Sequence, residues 1–70
     1  MTRLEGFIKA NSVGPSHLAR EAGISRKHLF RLRMGYADPT RSMMVRIALG
    51  CSCILGRDVK VPDLFAVGDP

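Results

Sequence analysis

Apolar side chains recur at the three- and four-residue spacing of an α-helix in several short segments, and glycine or proline interrupts the pattern between them. Leu4, Phe7 and Ile8 share one helical face and predict a first helix over about residues 3–11. Gly6 weakens this helix, because glycine loses more backbone freedom in a helix than other residues do. The first predicted element is therefore a short amphipathic helix.

A second helix is predicted from Pro15 to about Ala22. Gly14 suits the N-cap position, and Pro15 suits the first helical position because the N–H that proline lacks has no helical partner there. Val13 and Leu18 flank this cap at the spacing of a hydrophobic staple, in which the residue before the cap packs against one in the first turn. Local chemistry therefore defines where this helix starts.

A tight turn separates the second helix from a third. Gly23 stands where a helix commonly ends in a left-handed residue, and Ile24 supplies an apolar anchor after it. Ser25 suits the N-cap of the third helix, because its hydroxyl can accept from a free N–H of the first turn. That helix is predicted to end before Gly35. Two short helices joined in this way over about residues 15–34 have the layout of a helix-turn-helix.

A long fourth helix is predicted from an N-cap at Thr40 to about Leu55. Its predicted core stripe consists of Met44, Ile47, Ala48, Cys51 and Leu55. Further apolar residues lie off this stripe, namely Met43, Val45, Leu49 and Ile54. A helix with so much apolar circumference is either central to its bundle or has a second buried face. Gly56 ends this helix, and a last helical turn is predicted over residues 62–65.

These elements predict an all-α fold, a compact five-helix bundle with little or no sheet. Seventy residues suffice for one hydrophobic core, so residues 1–70 are expected to form a single domain. Hydrophobic residues make up 46% of the chain, which is enough to bury a core and argues against disorder.

Charge narrows the classes of partner. The formal net charge is +5 and the isoelectric point is about 10.0, which favours nucleic acid and, less strongly, an anionic membrane. The alternative is a basic surface that serves only solubility. No apolar stretch is long enough to span a bilayer, and residues 1–9 lack the apolar centre of a signal peptide.

The two cysteines are expected to be reduced. Cys51 and Cys53 stand two positions apart on a predicted helix, so their side chains point in different directions and cannot easily bridge each other. A disulfide across a dimer is the alternative. Reduced cysteines favour a cytosolic protein.

Basic side chains cluster on the third helix. At about 100° per residue, Leu29 and Leu32 face inward, whereas Lys27 and Arg31 fall on the opposite side and Arg26 stands at the exposed start. An α-helix fits the major groove of DNA, where an arginine can donate two hydrogen bonds to guanine. The three cations are therefore candidate DNA base contacts. The alternative is an ordinary solvated helix face, which the helix-turn-helix context disfavours.

Polar residues around these helices are candidate DNA phosphate contacts: Ser16, His17, His28, Tyr36 and Arg41. For each, the alternative is an exposed residue without a binding role, and for His28 a half-buried place at the helix edge. Phe30 projects toward the exposed side and can touch a thymine methyl group. Packing of Phe30 against a neighbouring helix is the favoured interpretation.

Sequence patterns of enzymes are lacking. The chain has no glycine-rich phosphate loop, no nucleophile–histidine–carboxylate set and no cluster with metal-ligand spacing. A helical bundle of this size also has little concave volume for a substrate. We therefore expect no enzymatic activity, no cofactor and no bound metal.

Several segments match one family pattern: LAREAGIS at 18–25, LFRLRMG at 29–35, PT at 39–40, RIA at 46–48 and DLF at 63–65. In these segments the chain resembles the Cro/CI-type (XRE-like) helix-turn-helix family of bacterial and phage transcriptional regulators. The resemblance implies a lambda-repressor-like five-helix domain that binds specific duplex DNA sequences, often as a dimer on a palindromic operator. By position it implies base contacts at Arg26, Lys27 and Arg31, and phosphate contacts at Ser16 and Ser25.

The chain departs from the family pattern in two places. The family often has an acidic residue at the position of Arg33, paired with an arginine elsewhere. We therefore expect that pair to be lost or reversed here, with Glu5 or Glu21 as the acidic partner. Residues 56–61 also form a longer connection than in many relatives, which affects the surface expected for a dimer.

The expected function is that of a cytoplasmic transcriptional regulator, a repressor, that binds double-stranded DNA as a homodimer. Dimerisation is expected through an apolar C-terminal piece, Leu64, Phe65 and Val67. Regulation is expected to come from concentration, a partner protein or competition for DNA sites. One alternative is an antitoxin-like module that binds a small protein through the off-stripe apolar residues of the fourth helix. Another is an architectural or excision-type DNA binder.

Overall fold

The fold consists of helices joined by short connections. In the computed structural model, which describes residues 2–65, the chain forms α1 (Arg3–Ala10), α2 (Pro15–Ala22), α3 (Arg26–Met34), α4 (Arg41–Leu55) and α5 (Val61–Leu64). No strand occurs in that range. The predicted all-α architecture with five helices is therefore confirmed.

Side-chain oxygens cap three of the helices at their N-termini. The hydroxyls of Ser25 and Thr40 accept from the backbone N–H groups of His28 and Met43 at 3.0 and 3.1 Å, as the sequence predicts. Thr2 caps α1 in the same way, accepting from the Glu5 N–H at 3.0 Å. These bonds satisfy donors that have no partner inside the helix.

The last helix starts one residue earlier than expected. Lys60 is its N-cap, and the Asp63 carboxylate accepts from the Lys60 N–H at 3.0 Å, so Val61 precedes Pro62 within the helix. The sequence does not predict this cap and places the start of the helix at the proline. Pro62 then occupies the second helical position, where a missing N–H is equally harmless.

One hydrophobic core joins all five helices. Its most deeply buried side chains are Leu4, Leu18, Leu29, Ile47, Cys51 and Leu64. The most extensive helix pair is α2 with α4, which approach closely at Gly50. A Cβ atom at that position would lie 3.1 Å from Leu18 Cδ1, so only glycine fits there without displacing a neighbour.

The apolar circumference of α4 is only partly covered. Ile47, Ala48 and Cys51 are buried as predicted, and Met44 and Leu55 of the same stripe are half-buried. Two of the off-stripe residues, Met43 and Ile54, pack against the edge of the core. The other two, Val45 and Leu49, are exposed. The helix therefore lies at the side of the bundle with one apolar strip uncovered.

One residue of the C-terminal apolar piece is not available for the expected dimer surface. Leu64 is fully buried in the core of its own chain, and Phe65 is half-buried against that core. Leu64 is therefore unavailable to a second molecule, and the prediction that it contributes to a dimer is wrong. Val67, the third residue of that prediction, lies outside the described residues.

Candidate nucleic-acid interface

The turn between α2 and α3 is closed by two backbone hydrogen bonds. Gly23 adopts the left-handed conformation (φ 72°, ψ 35°). Its N–H donates to the Arg20 carbonyl at 3.2 Å, and the Ile24 N–H donates to the Ala19 carbonyl at 3.0 Å. This pattern satisfies the last carbonyls of α2. Ile24 packs against the core and holds the change of direction in place.

Two buried leucines set which side of α3 faces outward. Leu29 and Leu32 are 1% and 4% exposed, as the helical spacing predicts. The opposite face carries Arg26, Lys27 and Arg31, and all three are exposed. No ion pair within residues 2–65 involves any of these three cations. Their charges are therefore available to an external anion.

The starts of α2 and α3 meet at a polar contact. Arg26 Nη1 donates a hydrogen bond to Ser16 Oγ at 3.3 Å. A candidate base contact and a candidate phosphate contact from different helices thus lie side by side. The free N–H groups and partial positive charge of a helix N-terminus favour an anion near this point.

Arg33, the fourth cation of α3, is already neutralised. Its Nε and Nη2 atoms donate to Glu5 Oε1 and Oε2 at 2.6 and 3.1 Å, a bidentate pair between α3 and α1. Hydrogen bonding from Arg33 lowers the pKa of Glu5 and outweighs the opposing effect of partial burial. Of the two acidic partners expected for Arg33, Glu5 is the one that pairs with it.

The N-terminus of α1 holds the C-terminal end of α3 at a second point. Thr2 Oγ1 donates to the Arg33 carbonyl oxygen at 2.6 Å. Gly35 follows in the left-handed conformation (φ 79°), and a Cβ atom there would lie 3.4 Å from Thr2 Cγ2. Together with the Glu5–Arg33 pair, this contact holds the C-terminal end of α3 against α1.

The candidate phosphate contacts are all exposed, namely Ser16, His17, Ser25, His28, Tyr36 and Arg41. His17 Nε2 lies 3.6 Å from a carboxylate oxygen of Glu21 one turn further along α2. The Ser25 hydroxyl is occupied as an acceptor by its cap, but it keeps its own O–H as a donor. Arg41 stands at the start of α4, and no hydrogen bond within residues 2–65 joins its side chain to the others.

Phe30 lies on the outer surface rather than in the core. It is 46% exposed, so the favoured interpretation that it packs against a neighbouring helix is wrong. Its ring instead meets the ring of Tyr36 edge to face, with centroids 6.3 Å apart and an interplanar angle of 69°. The Leu29 and Leu32 positions already fill the inward face of α3, which leaves Phe30 outside. The two aromatic rings extend the cationic face toward the C-terminal end of α3.

Arg46 is a cation that the sequence argument did not select as a contact. It is exposed on α4, and its Nη2 atom lies 3.7 Å from the Cβ position of Gly23, directly at the helix-turn-helix turn. The proximity arises from the close packing of α2 on α4. The signal that predicts it is Gly50, which marks a close helix approach one turn after Arg46.

Other kinds of site are scarce in the described part of the chain. Residues 2–65 contain no group of three or more metal-ligating side chains that could hold an ion. Both cysteines are free, and burial raises the pKa of the Cys51 thiol to about 11. None of the helices in that range has the length and apolar character needed to cross a membrane. Comparisons with protein-family models, curated proteins and solved structures find no match to this chain.

Proposed function

We propose that this protein binds double-stranded DNA in a sequence-specific manner and regulates transcription as a repressor in the cytoplasm. The observation that carries the proposal is the outer face of α3, where Arg26, Lys27 and Arg31 are exposed and without ion-pair partners in residues 2–65. The buried leucines and the contacts of Thr2 and Glu5 hold that face rigidly outward.

The shape of the site suits the major groove. An α-helix with its side chains fits that groove, and each base pair presents a different pattern of donors and acceptors there. Arg26 and Arg31 would donate to guanine edges, and Lys27 would donate to a base or to a nearby phosphate. The start of α2, with Ser16 and His17, would meet the sugar–phosphate backbone beside the groove.

Repression in this proposal follows from occupancy. A domain that covers a promoter site excludes other proteins from the same DNA, so no ligand or cofactor is needed. The two exposed aromatic rings, Phe30 and Tyr36, would lie against thymine methyl groups or the backbone at the far end of the helix.

The test is selection of bound duplexes from a randomised DNA pool at near-physiological salt, followed by sequencing. We expect an enriched motif for the wild type. Arg31→Ala should relax the preference at one position of that motif, because a bidentate arginine contact discriminates by about 1–3 kcal/mol. Equal loss of binding on every sequence would contradict the readout role of Arg31.

A matched control is available in Arg57→Ala. The variant removes one positive charge, as Arg31→Ala does, but at a site away from α3. Arg57 lies beside α1, where its Nη2 atom donates to Asn11 Oδ1 at 3.0 Å and its guanidinium carbon lies 5.8 Å from the Phe7 ring centroid. This variant should give the wild-type motif. Failure of the wild type to enrich any motif would contradict sequence-specific binding and favour an architectural or excision-type DNA binder.

A protein-interaction module, antitoxin-like, is the second candidate function. The exposure of Val45 and Leu49 on α4 favours it, because apolar side chains at helical spacing on a surface commonly contact another protein. Copurification of a second small protein with the wild type, lost in a Leu49→Lys variant, would support this candidate.

A further inference from the structure

An apolar ridge runs along the uncovered side of α4. It consists of Val45, Leu49 and Cys53, which follow one another at four-residue spacing and therefore lie in line on one helical face. Val45 is 43% exposed, Leu49 is 64% exposed, and Cys53 is also exposed. Leu49 stands at the centre of the ridge and is its most prominent apolar side chain.

The two ends of this ridge carry opposite charges. Near the Val45 end, the exposed guanidinium of Arg46 lies beside Gly23 at the end of α2. Toward the Cys53 end, Glu21 of α2 lies beside α4, with its Cβ atom 3.4 Å from the Cβ position of Gly50, and its carboxylate raises the pKa of the Cys53 thiol. Both charges lie on the flank of the ridge that faces α2.

This arrangement is complementary to itself. If two copies of α4 pack antiparallel about a two-fold axis that passes between them at the level of Leu49, each Leu49 meets its equivalent and each Val45 lies opposite Cys53 of the second copy. The same axis keeps the α2 flanks of both copies on one side. Each Arg46 then faces Glu21 of the second copy, and the pair occurs twice, as in any isologous interface.

We infer that the α4 ridge binds a second copy of this chain through an antiparallel α4–α4 contact centred on Leu49. A partner with a purely acidic surface would meet Glu21 unfavourably, and a purely basic partner would meet Arg46. A second copy satisfies both charges at once. The inference concerns a surface distinct from the DNA-binding face of α3, and its test does not require DNA.

The contact is expected to be weak and reversible. Stable interfaces bury about 800 Å² per partner, and three side chains on a helix cover only part of such an area. The net charge of +5 on each copy also opposes association. We therefore expect a monomer–dimer equilibrium that responds to concentration over the micromolar range.

Sedimentation equilibrium of the full 70-residue protein over a concentration series tests the inference. The wild type should approach the dimer mass as concentration rises. Leu49→Lys should raise the dissociation constant at least tenfold, because it places two ammonium groups at the two-fold axis. Tyr36→Lys is the matched control, since Tyr36 is 68% exposed but lies away from the ridge, and it should dimerise like the wild type.

A charge exchange tests the orientation of the two copies. Arg46→Glu and Glu21→Arg should each weaken the dimer by about three- to tenfold, since each creates two like-charge contacts, and the double variant should recover wild-type affinity. Circular dichroism of each variant checks that the fold is intact. Two single variants that fail to compensate each other would exclude the antiparallel arrangement.

Oxidative cross-linking provides a separate readout. In a Cys53→Ser background, Leu49→Cys should form disulfide-linked dimers, because the two positions meet at the axis. Native Cys53 should not form such a disulfide. Each Cys53 stands four residues from the axis at Leu49, in opposite directions, so the two are about 12 Å apart along the helices, too far for a disulfide. A wild type that stays monomeric at every concentration would overturn the inference. A dimer that survives Leu49→Lys would also overturn it and would assign dimerisation to another part of the chain, such as residues 66–70.

Discussion

At the scale of single residues, the most consequential contact lies between Glu5 and Arg33. It joins the first helix of the chain to the end of α3, and both side chains are largely buried, with exposures of 7% and 18%. A buried pair of this kind is costly to break from one side, because the remaining charge keeps its desolvation but loses its partner. The polarity of the pair is therefore as important as its presence.

Single charge reversals at this pair should destabilise the protein, and the exchange should restore it. We expect Glu5→Arg and Arg33→Glu each to lower the melting temperature by several degrees, because each places two like charges together. The double variant should recover most of the loss. Thermal unfolding followed by circular dichroism measures this, and additive losses in the double variant would show that the two side chains do not act as a pair.

The same pair predicts how stability depends on pH. Arg33 lowers the pKa of Glu5 in the folded state, so the stabilisation is fully present above the ordinary Glu value of 4.5 and is lost as pH falls through the lowered folded value. Urea unfolding at a series of pH values should show this decline below about pH 4.5. Glu5→Gln should flatten that part of the profile, and an unchanged profile would contradict the prediction.

Residue chemistry made much of the local structure predictable. The caps at Ser25 and Thr40, the break at Gly14–Pro15 and the turn at Gly23 all lie where the sequence places them, because each depends only on a residue and its near neighbours. The acidic partner of Arg33 was ambiguous from sequence, because it depends on which helix end lies beside α3. Sequence spacing alone does not contain that information.

At the scale of helices, the packing of α2 on α4 determines most of the surface. Gly50 lets the two helices approach, and this approach brings Arg46 to the turn and Glu21 to the side of α4. It also explains why the periodicity of α4 was insufficient to tell covered from uncovered apolar residues. The apolar stripe identified Ile47, Ala48 and Cys51, but the neighbours of Met43 and Leu49 are set by tertiary contacts.

Enlarging the residue at this crossing should be strongly destabilising. A Cβ atom on Gly50 would already lie 3.1 Å from Leu18 Cδ1 and 3.4 Å from the Ala22 nitrogen, so Gly50→Val should force the helices apart. We expect a loss of about 1–3 kcal/mol in the free energy of unfolding, which is typical of overpacking. Chemical denaturation provides the measurement.

The control for this variant is Ser42→Val in the first turn of α4. It introduces the same branched side chain at an exposed position outside the apolar ridge, so it should cost only the difference in helix propensity, a few tenths of a kcal/mol. If Gly50→Val proved as mild as this control, the close approach of α2 and α4 would not limit the size of residue 50.

At the scale of the whole molecule, the net positive charge makes the proposed DNA binding depend on salt concentration. A protein that neutralises phosphates loses affinity linearly with the logarithm of salt concentration, with a slope of about −0.9 per phosphate contacted. The slope of DNA binding against salt therefore counts phosphate contacts, independently of any contacts to bases.

This relation separates the proposed phosphate contact of Arg41 from the proposed base contacts on α3. Arg41→Ala should weaken binding to all duplexes alike and reduce the salt slope by about 0.9, because one phosphate contact is lost. Fluorescence anisotropy of a labelled duplex at several salt concentrations measures both effects. Arg57→Ala should leave the slope unchanged, and a sequence-dependent loss in Arg41→Ala would place Arg41 among the base contacts instead.

The surface proposed to contact a second molecule is the feature that the sequence predicts least well. The apolar character of its segment predicts a dimer contact at Leu64. In the structure, the Leu64 side chain is buried in the core of its own chain. Apolar sequence alone does not distinguish a side chain that completes the core from one that remains outside. The folded arrangement shows that Leu64 is buried in the core whereas Leu49 is exposed on α4.

The Glu5–Arg33 pair also limits how α3 can be exchanged. A helix transplanted from another protein would bring its own residue to position 33, and an acidic one would be placed against Glu5 in a largely buried site. Chimeras designed to redirect binding should therefore end the exchanged segment at Leu32, or replace residue 5 at the same time.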